Sequence, residues 1–124
     1  MSFQLLGLIL FTVTLSACAQ LAMKVGVTRA ALANALEQGL SAGVSAAIMS
    51  PLIWVGLLIY AFSAALWLWV LAKAELSVAY PFVGISFIVT AGFGAFFLGE
   101  NLTLGRVVGV LLIAAGCVLV GKSA

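Results

Sequence analysis

The chain has 124 residues, of which 66% are hydrophobic and only 6% are charged. A soluble domain usually carries about 25% charged residues, so this composition excludes a soluble globular domain and a disordered chain. The charged residues are few and scattered, and the net charge is only +2, which argues against nucleic-acid binding. The chain has no histidine, and its two cysteines lie far apart, so the residues needed for a zinc site, a catalytic triad or a disulfide framework are missing. We therefore expect an integral membrane protein that has no metal or cofactor and is not an enzyme.

Four stretches are long and apolar enough to cross the hydrocarbon layer, which takes about 20 mostly apolar residues in a helix. We predict an all-α membrane protein, a single domain over residues 1–124, with spans at about residues 3–23, 52–72, 78–98 and 104–120. The last two loops are short, which favours antiparallel neighbouring helices. Positive charges are divided almost equally between the two sides, so the positive-inside rule does not favour one orientation.

The first predicted span carries a polar stripe. Thr12, Ser16, Gln20 and Lys24 follow one another at intervals of four residues, which places them along one side of a helix. Polar groups inside a span are costly and tend to face a protein interior or a wet cavity. Lys24 lies near the interface, where it either snorkels to water or binds an anionic group such as a phosphate.

The first loop, residues 24–50, is much longer than the others. Leu32, Leu36 and Leu40 recur every four residues within it, which predicts a short helix lying in the headgroup region. The alternative is an irregular loop. Ser50 and Pro51 at its end are typical of an N-cap and a first helical position, and mark the start of the second span.

Aromatic and proline residues distinguish the second and third spans. Tyr60, Ser63 and Trp67 share one face of the second helix, and Trp67 lies either at the interface or in a cavity wall. Tyr80 brings a hydroxyl to the membrane edge. We expect Pro81 in the first turn of the third helix, where its missing N–H is tolerated.

The fourth span carries Gly105, Gly109 and Gly116 close to one face, a pattern that indicates close helix packing. The contact lies either inside one subunit or between two subunits. Because four helices of this length enclose little space, and small transporters often place their site between repeats, we expect a dimer with these glycines at its interface.

Three segments of the later spans resemble the small multidrug resistance family of the drug/metabolite transporter superfamily: residues 66–71 (LWLWVL), 77–82 (SVAYPF) and 109–116 (GVLLIAAG). The resemblance covers nearly the whole chain except the first loop. The drug exporters carry a glutamate eight residues before the lysine that ends their first helix, whereas this chain has Ser16 there. Residues 20–24 (QLAMK), 79–81 (AYP) and 99–100 (GE) are more similar to the subunits that flip aminoarabinose linked to undecaprenyl phosphate.

The resemblance implies a flippase of the bacterial inner membrane for a polyprenyl-phosphate-linked amino sugar, connected with lipopolysaccharide modification and working as a homodimer or with a related subunit. It also implies substrate-binding roles. The phosphate would be met by Lys24 and Arg29, the sugar hydroxyls by Gln20, Ser16 and Tyr80, the sugar ring by Trp67, and the amine by Glu75 or Glu100. The alternatives are an exporter of lipophilic cations or other small metabolites, and a non-transporting assembly subunit.

Overall fold

The computed structural model describes the backbone of residues 2–123 and the side chains of residues 2–29 and 34–123, and the described chain is almost entirely helical. The elements are α1 (Phe3–Thr28), α2 (Ala30–Gln38), α3 (Leu40–Ile48), α4 (Pro51–Lys73), α5 (Leu76–Ala79), a 3₁₀ turn (Tyr80–Val83), α6 (Gly84–Phe97) and α7 (Leu104–Ser123). Four segments are long and apolar enough to span a membrane: α1, α4, α5 through α6, and α7. The predicted class, an all-α membrane protein with four spans, is confirmed.

The tightest part of the fold is the antiparallel pair of α1 and α4. A β-carbon built at Gly56 would lie 3.0 Å from the carbonyl oxygen of Ala19 and 3.2 Å from the backbone nitrogen of Met23. A β-carbon at Gly26 would lie 2.7 Å from Cδ1 of Ile53. Small residues therefore let the two backbones approach closely, as is common between membrane helices.

The buried apolar cluster lies towards the end of the bundle where α1 begins and α4 ends. It consists of Ile9, Val13, Val70, Ala79 and Phe82, contributed by α1, α4, α5 and the 3₁₀ turn. The opposite end of the bundle, where α1 ends and α7 begins, holds a cavity instead.

The third span is not a regular α-helix, and the prediction that Pro81 lies in its first turn was wrong. The helix begins earlier, at Leu76, and Pro81 falls inside the span. Proline lacks a backbone N–H and its ring crowds the carbonyl one turn earlier, so the backbone tightens into a 3₁₀ turn at this point. Cys117 of α7 donates its S–H to the Pro81 carbonyl oxygen at 3.2 Å, which ties α7 to the turn.

The first loop is helical, but the prediction of one helix through Leu36 and Leu40 was wrong. Gly39 separates α2 from α3 with a φ of +135°, a conformation that side chains disfavour, so Leu40 starts a second helix. The side chain of Leu32 lies outside the described residues. Leu36 of α2 packs directly over Gly43 of α3, where a side chain would collide with it.

Helix α7 is the least enclosed of the four spans. It contacts α6 and the 3₁₀ turn through small residues, because a β-carbon at Gly84 would lie 2.8 Å from Cγ2 of Ile113 and one at Gly121 would lie 3.0 Å from the ring of Phe82. Leu111 and Leu112 are more than 60% exposed. Exposed apolar side chains of this kind suit a lipid environment.

Candidate functional site

A cavity of about 550 Å³ opens between α1, α6 and α7 at the end of the bundle where α1 ends. Its charged and amide side chains are Gln20, Lys24, Glu100 and Arg106, and much of the remaining wall is apolar. We call this cavity the charged groove. Its volume falls within the roughly 300–1,000 Å³ of small-molecule sites.

The wall contributed by α1 presents an amide and an ammonium group. Gln20 and Lys24 are four residues apart, so they lie one above the other on the same side of the helix. Both side chains are exposed and both line the charged groove. The Lys24 ammonium supplies three donors, and the Gln20 amide supplies donors and an acceptor.

The carboxylate of Glu100 lies against α6 because of two glycines. Gly99 takes a φ of +67°, which reverses the chain after α6, and the Glu100 N–H donates to the Gly94 carbonyl oxygen at 2.9 Å. A β-carbon at Gly94 would lie 2.7 Å from a carboxylate oxygen of Glu100. The missing side chain at Gly94 therefore makes the space in which this carboxylate lines the groove.

Arg106 is held in the first turn of α7. Its backbone N–H donates to Oγ1 of Thr103 at 3.3 Å, which satisfies one of the free donors at the start of the helix. Its Nη1 donates to the carbonyl oxygen of Asn101 at 2.9 Å. This bond uses one of the five guanidinium N–H donors, and the others remain for a ligand.

The charged groove combines two cations with one carboxylate. Lys24 and Arg106 reach it from α1 and α7, and Glu100 reaches it from the loop between α6 and α7. Charge-assisted hydrogen bonds are stronger than neutral ones. The arrangement therefore suits a ligand that has an anionic group at one point and a donor or cation at another.

A second cavity of about 260 Å³ lies between α1, α4 and the 3₁₀ turn. Three aromatic residues line it, Tyr60, Trp67 and Tyr80, and we call it the aromatic cavity. Aromatic faces of this kind can stack against sugar rings or attract cations through cation–π interactions.

The serine hydroxyl groups of the aromatic cavity are hydrogen-bonded to their own helices. Ser16 donates to the Val13 carbonyl oxygen at 2.8 Å, and Ser63 donates to the Tyr60 carbonyl oxygen at 2.8 Å. Their protons are in use, so their oxygens are available to accept hydrogen bonds from a ligand. The described lining of this cavity contains no carboxylate.

The structure divides the predicted substrate-binding residues between two places rather than bringing them all together. The charged groove holds Gln20, Lys24 and Glu100. The aromatic cavity holds Ser16, Trp67 and Tyr80. The polar stripe of α1 connects the two, because Ser16 and Gln20 are one helical turn apart.

Glu75 and Arg29 lie outside both cavities. Glu75 directly precedes α5 at the end of the bundle opposite to Lys24, where Lys73 and Ser2 line a separate cavity. Arg29 is the exposed residue that follows α1. Of the two acidic candidates for an amine contact, Glu100 is the one that shares a cavity with Lys24.

Sequence reasoning did not assign Arg106, Tyr60 or Ser63 to a site. The shared face of Tyr60, Ser63 and Trp67 was visible from their spacing and is the signal that could have added the first two. Residue spacing places Arg106 only near the start of the predicted fourth span. Its presence in the same groove as Lys24 depends on how α7 folds back along α6, which residue spacing does not determine.

Gly105, Gly109 and Gly116 of α7 do not pack closely inside the described subunit. A β-carbon at Gly109 or Gly116 would meet nothing within 4 Å, and one at Gly105 would meet only Oγ1 of Thr103, at 4.0 Å. Gly109 also lines the charged groove. Packing of this face against a second subunit stays a prediction.

Four membrane-spanning helices around a ligand-sized charged groove and a smaller aromatic cavity define a small multi-pass membrane protein, the class to which small transporters belong. Comparison with known proteins gives the family. The profile of the EamA-like transporter family matches residues 41–122. The chain is 32% identical over 118 residues to the probable 4-amino-4-deoxy-L-arabinose-phosphoundecaprenol flippase subunit ArnE of Pseudomonas aeruginosa (strain UCBPP-PA14), a match that covers 95% of this chain and 97% of that protein.

A second relative has the same description. The probable ArnE subunit of Hamiltonella defensa is 33% identical over 117 residues, which cover 93% of this chain and 94% of the relative. No solved structure matches the chain. The chain therefore belongs to the EamA-like transporter family, among the relatives of the ArnE subunits.

Proposed function

We propose that the chain is a subunit of a flippase in the bacterial inner membrane that moves a polyprenyl-phosphate-linked amino sugar from one leaflet to the other. The relatives described as flippase subunits for an aminoarabinose linked to phosphoundecaprenol support this cargo. The single observation that carries the proposal is the charged groove, in which a lysine and a carboxylate lie around one cavity at the end of a membrane-spanning helix.

The chemistry of the two cavities corresponds to the parts of such a cargo. Lys24 would bind the phosphate through charge-assisted hydrogen bonds, and Glu100 would accept a hydrogen bond from the sugar amine. Gln20 would meet a sugar hydroxyl beside them. The polyprenyl tail would stay in the lipid, so only the head group would have to pass the protein.

The aromatic cavity extends this assignment into the bundle. Ser16 and Tyr80 offer oxygens to sugar hydroxyls, and Trp67 offers a face for the sugar ring. Glu75, at the other end of the bundle, is proposed as the amine contact at the second membrane surface. Passage of the head group would break no covalent bond, so the proposed activity is transport rather than catalysis.

We further propose that two subunits form the working unit, either two copies of this chain or this chain with a related one. The description of the relatives as subunits supports an assembly. The open face at Gly109 and Gly116 supports α7 as the contact. A second bundle would supply the walls that four helices do not provide around the charged groove.

The test is reconstitution of the purified chain into vesicles containing an aminoarabinose linked to undecaprenyl phosphate. A membrane-impermeant amine-reactive reagent labels the sugar amine only in the outer leaflet. We expect the labelled fraction to rise beyond the outer-leaflet share within the assay time when the protein, alone or with a related subunit, is present. Vesicles without protein give the background.

Two variants make the assay specific. Lys24→Ala should lower the rate, whereas Lys73→Ala removes the same charge at the opposite end of the bundle and should leave the rate unchanged. Absence of acceleration, both for the chain alone and with a related subunit, would reject the flippase proposal. Activity that appears only with a second chain would identify the partner as necessary.

The aromatic cavity favours one second candidate, export of lipophilic cations, because Tyr60, Trp67 and Tyr80 could contact a cation through their ring faces. Against it stands Ser16, which offers no carboxylate for exchange of a proton against a cation. Expression in a sensitive bacterium discriminates the two functions. Protection against lipophilic amines or guanidinium compounds would support export, and unchanged sensitivity would support the lipid-linked cargo.

A further inference from the structure

We infer that Arg106 is the second phosphate-binding residue of the charged groove and forms, with Lys24, a two-cation clamp for the phosphate of a lipid. This inference rests on the proposed function and assigns to α7 a role that the sequence suggested for Arg29. Both cations line the same cavity, and they reach it from different helices.

The origin of the two cations on different helices is the first argument. Helices α1 and α7 do not form an extensive contact with each other, and both pack against α6. Lys24 and Arg106 therefore line the groove from two helices that are not packed tightly together, and we infer that an anion in the groove is contacted by both. Arg29 is exposed beyond the end of α1 and does not line this cavity.

The orientation of the guanidinium is the second argument. One nitrogen, Nη1, donates to the Asn101 carbonyl oxygen at 2.9 Å, which fixes the side chain across the loop that precedes α7. A guanidinium carries a rigid fork of donors that matches the oxygens of a phosphate. Because the Asn101 carbonyl already fixes one edge of the guanidinium, its other N–H groups can bind a ligand with a small further loss of side-chain entropy.

The local electrostatics are the third argument. Arg106 lies in the first turn of α7, where the partial positive charge of the helix makes a cation unfavourable. Helix stability therefore does not account for an arginine at this position. A bound phosphate would compensate both the guanidinium and the positive end of the helix, while Glu100 would remain available for the amine of the cargo.

Binding of lipid phosphate to the purified chain in detergent tests the inference, with undecaprenyl phosphate as the probe and intact-complex mass spectrometry as the readout. Arg106→Gln should raise the Kd about tenfold, since a hydrogen bond to a charged group contributes enough for that change. Lys24→Gln should raise it by a similar factor. The matched control is Lys73→Gln, which removes one cation outside the groove and should leave the Kd unchanged.

Arg106→Lys separates charge from geometry and serves if the glutamine variant does not fold. It keeps the positive charge but loses the fork, so it should bind more weakly than the wild type and more tightly than Arg106→Gln. Inorganic phosphate and phosphatidylglycerol identify the source of the phosphate. Competition by an excess of either one at the wild-type site would overturn the assignment to a polyprenyl phosphate, and absence of competition would support it.

The outcomes distinguish this inference from the proposed function. If Lys24→Gln weakens binding and Arg106→Gln behaves like Lys73→Gln, the clamp is refuted and the flippase proposal stands on Lys24 alone. If the wild type does not bind undecaprenyl phosphate but accelerates the leaflet exchange of the complete cargo, the clamp is likewise refuted. If the variants weaken binding as expected and no leaflet exchange occurs, the clamp stands and the flippase proposal fails.

Discussion

Replacing Gly56 by alanine should move the part of α1 that carries Gln20 and Lys24. The added β-carbon would lie 3.0 Å from the Ala19 carbonyl oxygen and 3.2 Å from the Met23 nitrogen, whereas ordinary contact begins at 3.4 Å. Both atoms belong to the backbone, so the two helices must separate by a few tenths of an ångström. The closest approach, 2.5 Å to Cγ of Met23, adds to this separation, because Cγ lies near the base of that side chain and not at its flexible end.

The expected magnitude follows from two opposing effects. Overpacking of a tight contact typically costs about 1–3 kcal/mol, and alanine in place of glycine inside a helix gains about 1 kcal/mol. The matched control is Gly92→Ala in α6, where the new β-carbon would meet nothing within 4 Å. The control carries the same propensity gain, so Gly56→Ala should be less stable than Gly92→Ala by about 1–3 kcal/mol.

Reversible unfolding in mixed detergent micelles, followed by circular dichroism, measures this difference in the free energy of unfolding. The binding of undecaprenyl phosphate to the folded variants provides the functional readout, and it should weaken for Gly56→Ala but not for Gly92→Ala. Equal stability of the two variants would refute the close α1–α4 contact. A loss of stability with unchanged binding would refute the dependence of the charged groove on that contact.

Three further changes test the remaining assignments. Lys24→Ala should leave the helix content and thermal unfolding unchanged but weaken lipid-phosphate binding about tenfold; wild-type transport would reduce Lys24 to an interfacial anchor. Gly109→Leu should lower the yield of cross-linked dimer in membranes, whereas Gly7→Leu, also at an open position, should not; an unchanged dimer would contradict the proposed α7 interface. Gly94→Ala should displace the Glu100 carboxylate from the groove, since the new β-carbon would lie 2.7 Å from it. The variant should then bind an amine-bearing lipid phosphate with less preference over its acetylated form, whereas the control Gly92→Ala should keep that preference.

The four spans could be predicted from composition because lipid selects for long apolar runs whatever the tertiary packing. The ends of the helices were harder to predict from the sequence. Helix α1 continues to Thr28, beyond the predicted end at residue 23, because backbone hydrogen bonds do not stop where the hydrocarbon stops. Lys24 interrupts the apolar run, but its long side chain can reach water without breaking the helix.

Local backbone chemistry explains the two errors in the helices. Gly39 and Pro81 were both visible in the sequence, and each marks a break in the structure. A glycine inside a helical pattern is tolerated in many helices, so the leucine spacing alone favoured one continuous helix. Pro81 was assigned to a helix start because its N–H is dispensable there, whereas the apolar residues before it extend the third span to Leu76.

The candidate site was predictable only where it depends on a single helix. Gln20 and Lys24 share a groove because four residues make about one turn, and Trp67 shares a cavity with Tyr60 for a similar reason. The contributions of Glu100 and Arg106 depend on Gly99, Gly94 and the path of α7 along α6. Those are tertiary relations, and the residue types alone do not encode which helix faces α1.

The packing of the bundle is uneven, and this unevenness bears on how a head group could pass it. Helices α1 and α4 meet backbone to backbone at Gly56, so their separation is fixed by contacts that cannot shift without cost. Helices α1 and α7 form two walls of the charged groove but have no extensive contact with each other. A change in their separation would therefore open or close the groove while the α1–α4 pair stays intact. Helix α7 is held to the 3₁₀ turn through Cys117 and Gly121, so in the proposed flippase any change of the groove would involve the half of α7 that carries Arg106 and would leave Lys24 on the α1–α4 pair.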